Sequence, residues 1–367
     1  MNPIVPAPDV LPLPAPLWLL EFLLIFTFIL HVVPMNFLFG GGLLAALSQM
    51  LGRKNPNHER LARRISELMP AIIAATVTLG VAPLLFVQVL YGHLLYSSSI
   101  LMAEAWFWVV PLVIIGYYLA YLLRFTWEAL GGLRITIAWV TALIFASIGF
   151  IYSNNFSLML RPDNWGPHYF QDLSRGHLNW SDTTLYPRYL HMLFGAVAVA
   201  GAWIMIIGAR RKSGSPEWCD WALKYGAKIF MHSTMLNILI GFWYLLALPR
   251  HVQMIFMGQN PAATAIFVVA LLLTIVAWVL MNRASAAANG RVFAYSGSGT
   301  LLAVLALMAV MRQQVRTATL APYFKLEQLQ SAPQWGPFTM FIVTLLIGLV
   351  VFAWLIRVVL RAAPAKA

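Results

Sequence analysis

Cysteine is nearly absent from this sequence. Among 367 residues the single thiol is Cys219, so the chain has neither an intrachain disulfide nor a cysteine-ligated metal cluster. It also lacks the CxxCH motif through which a c-type haem is attached to a protein. These absences exclude disulfide-stapled folds, iron–sulfur proteins and c-type cytochromes.

Charge is also scarce. Asp, Glu, Lys and Arg make up 10% of the chain, whereas 61% is hydrophobic and the mean hydropathy is +0.77. The 24 Lys and Arg exceed the 12 Asp and Glu, but they lie in short segments between apolar runs, not in a patch that would bind nucleic acid. The N-terminus is uncharged and rich in proline where a cleavable signal peptide carries positive charge. This composition predicts an integral membrane protein with many spans.

Several apolar segments are long enough to cross a bilayer, which takes about 20 residues of helix. We expect nine transmembrane helices, over residues 17–46, 68–95, 100–123, 133–152, 185–209, 222–248, 262–281, 292–311 and 338–360. No internal repeat is visible among them. The sequence therefore predicts an all-α integral membrane protein with one polytopic domain over residues 1–367.

The loops between these segments carry unequal charge. Of the 24 Lys and Arg residues, 17 fall on one side of the predicted membrane and 7 on the other. By the positive-inside rule, the N-terminus lies outside and the C-terminus in the cytoplasm. Two outer loops, residues 153–186 and 312–337, are long and polar, and we expect them to cover a site or to dock a partner.

Ionisable side chains within the apolar segments are the candidate functional residues. His31, Glu104 and His191 lie 19 to 22 positions from the basic residue at the inner end of their own helix. At 1.5 Å of rise per residue this places each of them roughly 28–33 Å above the inner flank. The sequence thus predicts that three helices bring these side chains to one level in the outer leaflet, with His93 slightly higher.

A histidine in a membrane helix has more than one common role. It ligates haem iron in many electron-transfer proteins, but it also serves as a hydrogen-bonding strut. Glu104 has equivalent alternatives, as a protonated carboxyl bonded to backbone or as part of a proton path. His93 is also compatible with an ordinary interfacial position, and His232, close to the cytoplasmic side, is interpreted as structural or proton-handling.

Local motifs along the chain resemble those of subunit I of the cytochrome bd quinol oxidases. They are HVVPMNFLFGGGLLAAL from His31, LGVAPLLFVQVLYGHLLYS in the second helix, AEAW around Glu104, YPRYLHMLFGAVAVAGAWIM around His191, and MRQQVRTATL from Met311. The resemblance implies two four-helix bundles plus one helix, in the inner membrane of a bacterium, with a periplasmic N-terminus. It also implies that His31 and Glu104 belong to a haem of the oxygen-reducing site and that His191 ligates a low-spin haem b.

The chain departs from this family at several positions. Ala309 stands where the family has a glutamate ligand of its second high-spin haem, and residues 262–281 contain no methionine before their inner end, where the family supplies the partner of the low-spin haem. The candidate replacements are His93, His251, Met254 and Met257. The family's long quinol-binding loop is here about a dozen residues.

The function predicted from these residues is a haem b-containing membrane electron-transfer subunit with non-covalently bound haem. It would pass electrons between quinone, or other membrane subunits, and a periplasmic c-type or multihaem cytochrome. Arg188 and Arg312, at the outer edge, are expected to pair with haem propionates. The alternatives are a terminal quinol:oxygen oxidoreductase and a haem-free membrane anchor or transporter, although the chain has no inverted repeat of the kind that transporters show.

Overall fold

The computed structural model describes residues 5–8, 11–171, 178–211, 215–286 and 290–361. Within these residues, nine helices are long and apolar enough to cross a membrane. They are α1 (Leu17–Gly52), α2 (Pro56–Leu101), α3 (Ala103–Phe125), α4 (Leu133–Met159), α5 (Leu185–Ala209), α6 (Pro216–Ala247), α7 (Pro261–Ala286), α8 (Gly290–Leu320) and α9 (Trp335–Arg361). The predicted all-α, multi-pass membrane architecture is confirmed.

The helices form two four-helix bundles, α1–α4 and α5–α8, with α9 at the edge of the molecule. In each bundle the second helix begins with a side-chain cap. Asn55 accepts a hydrogen bond from the Asn57 N–H (2.9 Å) at the start of α2, and Ser215 accepts one from the Trp218 N–H (3.3 Å) at the start of α6. Such caps satisfy backbone N–H groups in the first turn of a helix. α1 packs against α2, and α5 likewise packs against α6.

The two bundles meet where α1 contains a π-helical turn, Phe37–Gly41, after Pro34. A Cβ atom at Gly40 would overlap the backbone carbonyl of Ala196 on α5. Only glycine permits this close approach of the two backbones. Both His31 and His191 precede this contact in their helices, so both lie on the same side of it.

The described N-terminal segment lies on the same face of the molecule as the connection between α8 and α9. The Leu13 N–H donates to the Gln330 carbonyl (2.7 Å), and the Leu13 carbonyl accepts from the Ala332 N–H (2.9 Å). We call this face, at which α1 begins, the N-side; it is the face that the charge distribution predicts to be the outer one.

Both predicted outer loops begin later than expected. α4 continues to Met159 and α8 continues to Leu320, so the boundaries at residues 153 and 312 are wrong. The reason is that the polar residues at these helix ends have partners inside the protein. Asn154, for example, accepts from the Asn179 N–H (3.0 Å), and Asn179 donates to the Ser157 hydroxyl (3.0 Å). Residues 172–177 of the first loop lie outside the described residues.

Candidate functional site

The imidazole of His31 lies between α1 and α2. Its Nδ1 is 3.0 Å from the backbone carbonyl oxygen of Thr76, and because a carbonyl can only accept, Nδ1 carries the proton and donates. The ring rests on Gly80, where a Cβ atom would come within 2.8 Å of the ring Cε1. No residue in the described part of the chain hydrogen-bonds to Nε2, which is therefore left as an open lone pair.

The imidazole of His191 has the same arrangement between α5 and α6. Its Nδ1 is 3.2 Å from the carbonyl oxygen of Asn237, and a Cβ at Gly241 would come within 3.0 Å of Cε1. Among the described residues, none hydrogen-bonds to Nε2 of this ring either. His191 is thus also oriented with a protonated Nδ1 and a free Nε2.

This orientation is typical of a histidine that ligates a metal. Such a histidine usually donates its second ring N–H to a carbonyl or carboxylate, which fixes the ring and makes the other nitrogen a better ligand. Among the described residues there is no group of three or more His, Cys, Asp and Glu side chains that would hold a bare ion. A porphyrin supplies the equatorial ligands of its iron and takes single axial imidazoles from the protein, which fits isolated histidines.

Arg188, Arg312 and Arg316 lie close together on the N-side, and we call them the arginine group. The guanidinium of Arg312 is 4.3 Å from the ring centroid of Phe28 and 5.0 Å from that of Phe156. Arg188 and Arg316 are both near enough to act on Arg312 electrostatically. Since Phe28 precedes His31 by three residues and Arg188 precedes His191 by three, the arginine group lies about one turn above both histidines.

The arginine group has no acidic partner within the described residues, where every ion pair involves other side chains. Arg316 is 4% exposed, and the Nε atom of Arg188 is enclosed without a hydrogen-bond partner. Enclosing guanidinium groups without an anion costs free energy. This region would therefore be stabilised by a ligand that carries carboxylates.

A hydrogen-bonded network beside the arginine group was not predicted from the sequence. The Gln313 amide donates to the Glu21 carboxylate (3.1 Å) and to the Tyr91 hydroxyl (2.9 Å), and its oxygen accepts from Arg316 (2.8 Å). Tyr91 lies at a kink in α2, with φ −135° and ψ 24°. Arg312 and Arg316 are four residues apart, so they share a helix face if both are helical. The sequence would indicate this pair only if the predicted helix continued beyond residue 311.

Glu104 makes no hydrogen bond or ion pair with His31 or His191 in the structure. This side chain is exposed on the first turn of α3 and has no hydrogen-bond partner among the described residues. His93 is half-buried, 4.6 Å from Phe324 between ring centroids in an edge-on arrangement, and its Nε2 is enclosed without a partner. That Glu104 lies at the level of His31 and His191 stays a prediction.

The other candidate haem ligands, Met254, Met257 and His251, have exposed side chains. Nε2 of His251 is 3.2 Å from the backbone carbonyl of Ala318. His232 is exposed, with Nδ1 2.7 Å from a carbonyl of its own helix. None of these side chains is thus placed to be the second axial ligand of a haem bound by His31 or His191.

A cleft of about 230 Å³ opens on the N-side beside Arg188, lined also by Thr184, Leu248 and Thr319. Arg161, at its edge, pairs with Asp163 (2.9 Å). Burial acts to raise the pKa of the Asp163 carboxyl, but the hydrogen bonds and charge of Arg161 outweigh it and hold the pKa below its usual value. Asp163 is therefore ionised and paired with Arg161, while the arginine group remains without an anion.

Two bundles of apolar helices, each with a partly buried histidine, define a multi-pass helical membrane protein. Its fold is that of a solved structure described as the bd oxidase from Geobacillus thermodenitrificans, with a TM-score of 0.74 over 96% of this chain and 100% of the other. Sequence identity over this match is 14%, so the likeness shows the fold and not the activity. No protein family and no curated protein matches the chain by sequence.

Proposed function

We propose that this chain is a haem b-containing electron-transfer subunit of a respiratory complex in the bacterial inner membrane. The observation that carries the proposal is the common orientation of His31 and His191. Each has Nδ1 on a backbone carbonyl and Nε2 free to bind iron, and each would be an axial ligand of one haem. Bound haem supplies a one-electron couple at its iron.

The arginine group supports this proposal by its charge. Haem propionates are carboxylates, and guanidinium binds a carboxylate through paired hydrogen bonds. Arg188 would hold propionates of the haem on His191, and Arg312 those of the haem on His31, because each lies about one turn from the corresponding histidine. Arg316, held by Gln313 and stacked 5.3 Å from the Tyr91 ring centroid, would add positive charge between them.

Other residues would orient the two imidazoles and exclude water from them. The apolar helices keep the imidazoles away from bulk solvent, and the carbonyls of Thr76 and Asn237 keep their Nδ1 atoms protonated. Glu104, exposed at the start of α3, takes no part in holding haem in this proposal. Its position on the N-side is compatible with carrying protons between the site and the aqueous phase.

We also propose electron partners, on the basis of where the two histidines lie. Both would hold haem in the half of the membrane nearer the N-side, which favours exchange with a periplasmic c-type or multihaem cytochrome. Quinone or another membrane subunit would be the partner within the bilayer. The fold of a bd oxidase favours a second candidate function, a terminal quinol:oxygen oxidoreductase, but Ala309 cannot supply a carboxylate ligand; oxygen consumption with a quinol would identify that activity.

The test is a reduced-minus-oxidised absorbance spectrum of purified protein and of two variants. We expect b-type bands in the wild type, and loss of a separate part of them in His31→Ala and in His191→Ala, because each variant removes an axial ligand. His232→Ala is the matched control, since this exposed histidine bonds to its own helix, and it should keep the full spectrum. Full retention of all bands in both site variants would overturn the proposal.

A further inference from the structure

The first histidine site is built from three residues in a particular arrangement. The Nδ1 atom of His31 donates to the carbonyl of Thr76, and the ring covers the residue four positions later, Gly80. In a helix the carbonyl of each residue accepts a hydrogen bond from the N–H of the residue four positions later, and so points toward that residue. A carbonyl oxygen has a second lone pair, which a side chain at that later position would shield.

The second histidine site repeats this arrangement. His191 donates to the carbonyl of Asn237, and its ring covers Gly241, again four positions later. The three residues of this site follow their counterparts at the first site by 160 or 161 positions. In both bundles the histidine lies on the first helix, and the carbonyl and glycine lie on the second.

Both glycines lie where any side chain would meet the imidazole. A Cβ at Gly80 would be 2.8 Å from Cε1 of His31, and one at Gly241 would be 3.0 Å from Cε1 and 3.2 Å from Nδ1 of His191. Interatomic distances this short are repulsive, since carbon atoms attract best at about 3.5–4.0 Å. A methyl group at either glycine would displace the ring from its carbonyl.

We propose, building on the proposed haem function, that Gly80 and Gly241 are positioning residues for the haem ligands. Each glycine uncovers the second lone pair of the carbonyl one turn earlier and lets the imidazole lie against the helix. The hydrogen bond then fixes the direction in which Nε2 points. The helix pairs α1–α2 and α5–α6 are accordingly two copies of one haem-holding unit, which we call the histidine cradle.

The test uses Gly80→Ala and Gly241→Ala in the full-length, haem-loaded protein. Gly299→Ala is the matched control, because Gly299 also lies within a helix and a Cβ there meets nothing within 4 Å. We expect each cradle variant to shift the midpoint potential and the electron paramagnetic resonance signal of its own haem, while the other haem and the control stay at wild-type values. Circular dichroism would verify that all variants keep their helix content.

A second measurement does not depend on the native side chain. In His191→Gly, added imidazole is expected to restore the spectrum by binding in the cradle, and the further change Gly241→Ala should weaken that imidazole binding at least tenfold. Unchanged potentials in both cradle variants, or unchanged imidazole affinity, would overturn the positioning role. Haem bands that persist undiminished in His191→Ala would instead overturn the haem function itself, so the two failures are distinguishable.

Discussion

At the scale of single residues, His31 and His191 share an arrangement in which a partly buried imidazole is bonded to a backbone carbonyl of the neighbouring helix. His31 and His191 use Nδ1 on a backbone carbonyl and leave Nε2 without a hydrogen bond to any described residue. In a membrane an unused polar atom has no water to bind and costs free energy. A bond from Nε2 to iron would give this second nitrogen a partner.

Replacing Arg312 tests the role of the arginine group. We expect Arg312→Gln to weaken haem binding by roughly tenfold or more, because a hydrogen bond to a charged group contributes about 1.5–3 kcal/mol and tenfold in affinity is about 1.4 kcal/mol. The midpoint potential should also fall, since removing a positive charge favours the oxidised iron. Haem titration and redox potentiometry would measure both effects.

The control for that variant is Arg250→Gln, which changes an exposed arginine at the start of a short N-side helix. It should leave haem binding and potential unchanged. Equal behaviour of the two variants would show that Arg312 does not contact a haem carboxylate.

The sequence allowed His31 and His191 to be selected, because an ionisable side chain in an apolar segment is visible without a structure. Their partners were not predictable. Thr76 and Asn237 contribute backbone carbonyls, which leave no trace in residue type, and they are 45 and 46 positions away. Arg316 was missed for a different reason: hydropathy falls at residue 312, so the predicted helix ended before it.

At the scale of helices, α1 is shaped for contact with the second bundle. Pro34 removes a backbone donor, and the π-helical turn Phe37–Gly41 begins three residues later. Turns of this kind are often found at functional sites. Here the turn brings Gly40 against Ala196, which fixes the position of α1 relative to α5 and hence of one histidine relative to the other.

Substituting Gly40 tests this contact. Gly40→Ala is expected to destabilise the protein by about 1–3 kcal/mol, the usual cost of forcing extra volume into a packed interior, because the new methyl group would overlap a backbone carbonyl. Thermal unfolding in detergent would show the loss. Gly42→Ala is the control, since its nearest neighbours would lie 3.8 Å from the added carbon; an equal loss of stability in both variants would contradict the contact.

Helix number was predictable, whereas helix ends were not. Apolar runs of about 20 residues mark spans whatever their packing. The ends of α4 and α8 depend on whether polar residues find partners in the fold, as Asn154 and Gln313 do. Hydropathy alone predicts a loop at such residues, because it does not include hydrogen-bond partners from distant parts of the chain.

At the scale of the whole molecule, the two bundles place the arginine group where their helices converge. Phe28 and Phe156 of one bundle enclose Arg312 of the other, and Arg188 lies 5.5 Å above the Tyr244 ring. Two haems on His31 and His191 would thus share one region of positive charge. The repetition of the histidine cradle was invisible in the sequence, because three matching positions among about 160 give no detectable repeat.

The measurement that tests the account most directly is the ratio of haem to protein in the purified chain, by the pyridine haemochrome assay and amino-acid analysis. The account predicts haem b at two per chain, falling to one in His31→Ala and in His191→Ala. A colourless wild-type protein that is folded and helical would contradict it.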